Sequence, residues 1–431
     1  MRFNYVLMIA AATTVAAAAF GQQSTPQQGY GAKPELPTPS TSAVKFVKVV
    51  GWPAGKAPAA PAGFSVTEFG ANLDHPRWLY ALPNGDILVA EASTPPKPAK
   101  TEKEQAIQQG QKESKAITPS QNRISLLRDS NGDGKVETQS VFLENLNRPF
   151  GMVLVGNTLF VASTDAVHAY PYESGMQRMD KPGKKILTLP AGGYNNHWTR
   201  NLIANTAGTK LYVTVGSASN VAEHGMAEET RRANILEVNL DGSGERIFAS
   251  GLRNPNGMDW ETTTGALWTV VNERDELGDN LVPDYLTSVK DGGFYGWPFS
   301  YYGQNVDARV KPPNPELVKR ALVPDYGLGA HTASLGLTFY RGASFPARFK
   351  GGAFIGQHGS WNRSQFSGYR VAFVPFANGK PSGVIEDFLS GFLASDSTAY
   401  GRPVGVIADR SGALLVADDA GNRIWRVAAA K

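Results

Sequence analysis

The stretch NGDILVAEA at residues 84–92 decides the fold, because five more of the same form follow it. They are GNTLFVAST at 156–164, GTKLYVTVG at 208–216, GALWTVVNE at 265–273, GGAFIGQHG at 351–359 and GALLVADDA at 412–420. Each opens on a Gly or Asn turn residue and runs into a short apolar strand. Ahead of each copy stands a second element. These are HPRWLYAL from His75, RPFGMVLV from Arg148, HWTRNLIA from His197, NPNGMDWE from Asn254, ASLGLTFY from Ala333 and RPVGVIAD from Arg402. Fixed-order repetition of hairpins is the signature of a radial or solenoid architecture. Six copies of an antiparallel unit, without heptads, predict an all-β fold: a six-bladed β-propeller with long loop insertions. Such a fold gathers its functional loops at one mouth of a central channel, where the Arg, His and Asn of the second elements should converge. A β-sandwich is the structural alternative, but it gives no reason for the paired repeat.

Outside the repeats the chain changes character. Residues 1–21 carry Arg2, an apolar run and small residues before Gly21, which reads as a signal peptide cut within 16–21. Residues 22–60 are rich in Gln, Pro, Ser and Ala and read as an N-terminal linker, or a belt lying on the domain. The propeller catalytic domain is then 61–431, interrupted at 94–120 by a Lys/Glu/Gln-rich insertion. That insertion reads as a solvated excursion, partly helical, with a lid role as the alternative. No later segment approaches the roughly 18 apolar residues of a membrane span, so the mature protein is expected to be periplasmic or secreted. Lys and Arg number 42 against 38 Asp and Glu, and the resulting net charge of +4 is too small to predict nucleic-acid binding. Cys is absent. That excludes disulfides, thiolate metal sites, a Cys nucleophile and an attached c-type haem. An exported fold without Cys suits a bacterial periplasm.

Several familiar devices are missing: there is no G-x-x-x-x-G-K-[ST] loop, no G-x-S-x-G elbow and no H-E-x-x-H site. The six histidines are His75, His168, His197, His224, His331 and His358. His197 lies in GGYNNHWTRNL, where a loop opens directly into an apolar strand. An imidazole there can face a cavity as general base, or it can simply bond a loop carbonyl. GLRNPNGMDW places Arg253 and Asn254 before the rigid Pro255. The planar fork of Arg253 suits carboxylates, quinone oxygens or a developing oxyanion; the plainer reading ties adjacent blades through backbone carbonyls. Arg148 and Arg402 occupy the same place in their own repeats. Asp129, Asn131 and Asp133 open a calcium-like loop, D-S-N-G-D-G, but Ser140 stands where the bidentate Glu belongs. A candidate second calcium and a plain hairpin turn both fit. NERDELGDNL supplies Glu273, Asp275, Glu276 and Asp279, an oxygen-rich turn that also suits Ca²⁺.

Taken in order, GGYNNHWTRNL, ILEVNLDGSG, GLRNPNGMDW, NERDELGDNL, YGWP, HTASLGLTFY, GQHGSWNRS and GRPVGV…DDAGNRIWRV resemble the soluble quinoprotein sugar dehydrogenases, especially their sorbosone dehydrogenase-like branch. The likeness spans roughly Phe64 to Val427. It implies a propeller that binds pyrroloquinoline quinone (PQQ) and Ca²⁺ at the channel mouth and oxidises a sugar or sugar-derived aldehyde. By the same resemblance His197 is the general base, and Arg253 and Asn254 contact cofactor and metal. Main-chain oxygens of Asp275 and Glu276 hold the calcium. Arg363 and Arg402 bind PQQ, with Arg148 the weakest transfer because the family usually places a polar side chain near there. Two departures stand out: Asn196 replaces an acidic residue before the base, and the acidic loop is shorter. Without Cys, electrons must pass to a separate acceptor, a cytochrome or a quinone. Two rival classes stand beside this reading, a calcium-dependent lactonase-type propeller hydrolase and a non-catalytic binding propeller.

Overall fold

In a computed structural model, residues 28–430 of the chain are described, so the predicted signal peptide lies outside the described residues. The paired repeats form the two inner strands of six blades, each built on four antiparallel strands, with a fifth strand added at the rim of blades 3 and 4. From channel to rim, blade 1 runs Pro76–Ala81, Ile87–Glu91, Arg123–Arg128 and Thr138–Leu143. Blades 2 and 3 begin on Met152–Val155 and Leu202–Ala204, and blades 4 to 6 on Asn254–Trp260, Ser334–Phe339 and Pro403–Ala408. These six innermost strands touch one another in a closed ring around the channel. The expected six-bladed propeller is the observed fold.

Why the repeats read as they do follows from packing. The second strand of a blade is covered on both faces by neighbouring blades, so Ile87–Glu91, Ala353–Gln357 and Leu414–Asp418 are buried at every position. Such strands read as continuous apolar runs instead of alternating ones. The glycine in the innermost strands of blades 4, 5 and 6 answers a different need. A Cβ on Gly405 would collide with the Arg77 and Trp78 backbone of blade 1, and one on Gly257 with the Leu337 backbone of blade 5. At these positions the inner strands approach closely because a side chain is missing. Aromatic residues fill the wider outer gaps: Phe345, Phe349, Phe354 and Phe388 pack between blades 5 and 6 with ring centroids 4.6–6.0 Å apart. Each such pair adds about 0.5–1.5 kcal/mol beyond its buried area.

The ring closes non-locally. Phe64–Gly70 pairs antiparallel with Arg423–Ala429 as the outer strand of blade 6, joining the two ends of the domain. The segment before it is a belt. Tyr30–Gly31 adds an edge strand to blade 4, Lys48–Val49 pairs in parallel with Thr398–Ala399, and the Trp52 indole donates to Asp418 at 2.6 Å. The charged insertion contains one helix, α1, at Glu102–Glu113, started by a complete capping box between Thr101 and Glu104. Thr94 pairs with Ile117, so the insertion leaves and rejoins the blade at one point. Among the described residues no helix is long and apolar enough to cross a membrane.

Candidate active site

Blade strands alternate in direction, which brings the starts of the innermost strands and the loops after the second strands to the same end. There they enclose a cavity of about 280 Å³ that opens into a chamber of about 660 Å³. His197, Arg253, Asp275 and His358 line both.

His197 sits where the blade 3 loop enters its first strand. Its Nδ1–H donates to the Ser217 carbonyl at 2.8 Å, with the Ser217 hydroxyl at 3.0 Å. Among the described residues Nε2 has no hydrogen-bond partner, and the ring lines the cavity. The two sequence-level alternatives for this residue therefore hold together: one nitrogen bonds a loop carbonyl and the other is left for the cavity. Burial, reinforced by the charge of Arg253, lowers its pKa to about 3, so the ring is neutral near pH 7. Its orienting partner is not Asn196, whose side chain accepts from Lys97 at 2.9 Å. The Ser217 segment is instead fixed by buried Glu229, which accepts from the backbone N–H groups of Ala218 and Ser219 and from the Ser219 hydroxyl at 2.5–3.1 Å. Gly216 completes the junction, since a Cβ there would strike both His197 and Asn254.

Arg253 is 4% exposed. Its guanidinium donates to the carbonyls of Asn220 and Glu273 at 3.1 and 2.7 Å and to the Asn220 side chain at 2.9 Å, with the Asp275 carboxylate at 3.5 Å. It is thus a tie between blades 3 and 4 that also presents charge to the cavity. The side-chain oxygen of neighbouring Asn254 is buried without a partner, and so is one Glu273 oxygen. Both residues line the cavity beside Asp275. This is a set of uncompensated hard oxygens of the kind a divalent cation satisfies. The main-chain oxygens of Asp275 and Glu276 accept from Arg309 at 3.0 and 3.5 Å, which leaves the Glu276 carbonyl a second lone pair.

The four arginines expected to converge separate into two pairs. Arg253 lines both the cavity and the chamber, and Arg402 lines the chamber. Arg402 donates to the carbonyls of His358, Gly359 and Ser114 at 3.0–3.5 Å, leaving at least two of its five N–H groups uncommitted. Arg148 lies over the Trp198 ring at 5.6 Å, behind the cavity wall. Arg363 points to the Asn280 side chain and the Ala330 carbonyl and does not line either space. Arg77, which the repeat left inconspicuous, reaches the floor in their place.

Arg77 belongs to a second buried cluster. The Asp419 carboxylate accepts from Arg77 at 2.5 Å and from His358 Nε2 at 2.8 Å, with His75 Nε2 at 3.3 Å. Burial alone would raise the Asp419 pKa, but its contacts with His358, His75 and Arg77 hold it well below the ordinary carboxylate value. On the blade 4 side, burial pushes Asp284 up to about 6 despite donors from Glu273, Ser334 and Thr332. Asp419, His358, Asp284 and Glu229 had no distinctive sequence context. A buried polar residue at the end of a second strand, as in DDA at 418–420, was the available signal.

The calcium-like loop lies at the opposite end of blade 1. Asp129, Asp133 and Glu137 bring carboxylate oxygens within 4.8 Å of one another, and Asn131 donates to Glu137 at 3.1 Å. Glu137, not Ser140, completes that acidic group; Ser140 donates to the Gln177 carbonyl.

The chain is similar to several known proteins. An uncharacterised protein of Borreliella burgdorferi is 31% identical over 297 residues, covering 66% of this chain and 76% of that one. The holo form of the pyranose dehydrogenase PQQ domain from Coprinopsis cinerea superposes with a TM-score of 0.68 at 19% identity, covering 89% of this chain and all of that one. The Carbohydrate-Active Enzymes family AA12 protein of Trichoderma reesei, in an iodide and a calcium structure, gives a TM-score of 0.70 at 19% identity. These two structures cover 89% and 90% of this chain and 99% of their own. The TrAA12-like family profile matches residues 58–284 and 318–430, the greater part of the propeller, and the chain belongs to that family.

Proposed function

We propose that this protein is a PQQ- and calcium-dependent sugar dehydrogenase that oxidises a sugar or sugar-derived aldehyde of the aldose or sorbosone type. The observation that carries this reading is His197, with Nδ1 tied to the Ser217 carbonyl and Nε2 left open to a cavity ringed by Arg77, Arg253 and the oxygens of Asn254 and Glu273. PQQ is a tricarboxylate, and the guanidinium groups of Arg77, Arg253 and Arg402 suit it through charge-assisted bonds. When bound, it supplies the acceptor for hydride from the substrate carbon. The calcium is best served by the unpartnered side-chain oxygens of Asn254 and Glu273 together with Asp275.

In this reading His197 Nε2 takes the proton of the substrate hydroxyl, or of an aldehyde hydrate, as general base. The Ser217 carbonyl fixes the tautomer that makes Nε2 the acceptor. Arg253 keeps positive charge where negative charge develops, held in place by its carbonyl bonds. Export to the periplasm or beyond agrees with the first residues of the sequence, and the lack of Cys, which leaves no attachment for a c-type haem on these residues, supports a separate cytochrome or quinone as acceptor.

The test is reconstitution. Protein mixed with PQQ and Ca²⁺ should reduce a redox dye in the presence of aldoses or sugar-derived aldehydes, and a chelator should abolish the activity. Lactone hydrolysis without dye reduction over a broad panel would transfer the protein to the hydrolytic propellers.

A further inference from the structure

One face of the charged insertion borders the chamber. Glu104, Ile107, Gln108 and Gln111 line the chamber, and their spacing of three, four and seven residues is one face of α1. That face is held in position from three sides. Gly110 lies against the Phe46 ring so closely that no Cβ would fit, and Phe46 stacks on Trp361 at 5.6 Å. Lys97 donates to Asn196, the neighbour of His197, at 2.9 Å, and Gln108 donates to the Lys97 carbonyl at 2.5 Å. Thr94 accepts from the Trp198 indole at 2.6 Å.

The fixed face offers a particular chemistry. Among the described residues the Gln111 side-chain amide has no protein partner, although it faces the chamber. An amide presents both donors and an acceptor, which matches a pair of neighbouring hydroxyls. Ile107 and Phe46 provide apolar surface beside it. A chamber of about 660 Å³ leaves room beyond the cavity floor, within the roughly 300–1,000 Å³ that encloses small ligands.

We propose that α1 and the belt residue Phe46 form a subsite that binds the distal hydroxyls of a polyhydroxylated substrate, with Gln111 as its polar contact and Ile107 as its apolar one. This rests on the sugar dehydrogenase reading of the same mouth. The subsite selects sugars over simple aldehydes by contacts remote from His197, and is supplied by a segment outside the blade repeat.

The experiment compares the full-length holoprotein with its Ile107→Ala/Gln111→Ala variant, whose changed positions are not core residues of the helix. D-glucose and glycolaldehyde, which has no distal hydroxyls, serve as substrates. The glucose KM should rise at least about fivefold, the loss of roughly one hydrogen bond and its apolar neighbour. Its kcat should change much less, and the glycolaldehyde KM should stay close to the parent value. A glucose KM equal to that of the parent, or an equal rise for both substrates, overturns the proposal. A second readout is saturation-transfer NMR of glucose binding with PQQ omitted, where the variant should lose signal. If the parent takes up no PQQ but shows a glucose signal that the variant loses, the dehydrogenase reading falls and the subsite stands. A parent without any sugar signal or turnover removes both.

Discussion

His197 and His358 face the same cavity from blades 3 and 5, and burial lowers both to about 3, helped by Arg253 in one case and Arg402 in the other. Their bonding separates them. His197 spends Nδ1 on a neutral carbonyl and keeps Nε2 for the cavity, whereas His358 spends Nε2 on the Asp419 carboxylate that also binds Arg77 and His75. A neutral acceptor orients an imidazole without adding charge. A buried carboxylate shared by three partners builds a rigid tie instead. Each ring leaves one nitrogen without a hydrogen-bond partner among the described residues, so what separates them is the group that holds the other nitrogen, a neutral carbonyl for His197 and a shared carboxylate for His358.

Breaking the His197 side should give the largest effect. His197→Ala is expected to lower turnover of the reconstituted protein about 10²–10⁴-fold, while PQQ titration shows uptake equal to the parent. Parental turnover would reverse the roles of the two histidines. On the other side, Asp419→Asn leaves Arg77 without its buried counter-charge and should cost about 3–5 kcal/mol in denaturant unfolding. An unchanged midpoint would mean that the cluster does not tie blades 1, 5 and 6 together.

Finer changes sharpen the contrast. Glu229→Gln keeps the shape of the group that holds residues 217–219 but weakens its grip on the His197 acceptor. It should reduce kcat about tenfold through misorientation of the ring, with KM little altered; a rise in KM alone would place Glu229 in substrate binding. The smallest effect concerns pH. Unfolded His358 titrates near 6.5 and the folded residue near 3, so between these values the unfolded chain holds the extra proton. The stability associated with His358 is therefore complete above about pH 6.5 and is lost as pH falls toward 3, by at most about 1.4 kcal/mol per pH unit. His358→Gln should flatten the fall in unfolding free energy over that window by this amount. Asp284, raised to about 6, acts in the opposite direction in both proteins and cancels from the comparison. Equal slopes would show that His358 is not held neutral.

Much of this contrast was legible from residues alone, but unevenly. His197, Arg253 and Asn254 stand at loop-to-strand junctions with Gly, Asn and Pro around them, and those junctions are local. Arg363 had an equally suggestive setting in GSWNRS, yet its side chain is taken by Asn280. Nothing local distinguishes a guanidinium aimed at a cavity from one aimed at a neighbouring loop. Arg77 illustrates the converse. It sits within an unremarkable HPRWLYAL, and only the approach of blade 6 to blade 1 brings Asp419 to it. The insertion was read from its charge as solvated, and no residue of α1 is buried, yet one of its faces borders the chamber because the belt lies against the helix.

By itself the sequence determined the number of blades and which segments line the channel, since turn chemistry and apolar runs act between residues near each other in the chain. Tertiary structure alone decided which arginines face inward, that a carboxylate at 419 joins Arg77, His75 and His358, and that the insertion borders the mouth. Those outcomes depend on contacts between residues up to about 340 positions apart, where the direction of a side chain is set by what closes against it and not by its own neighbours.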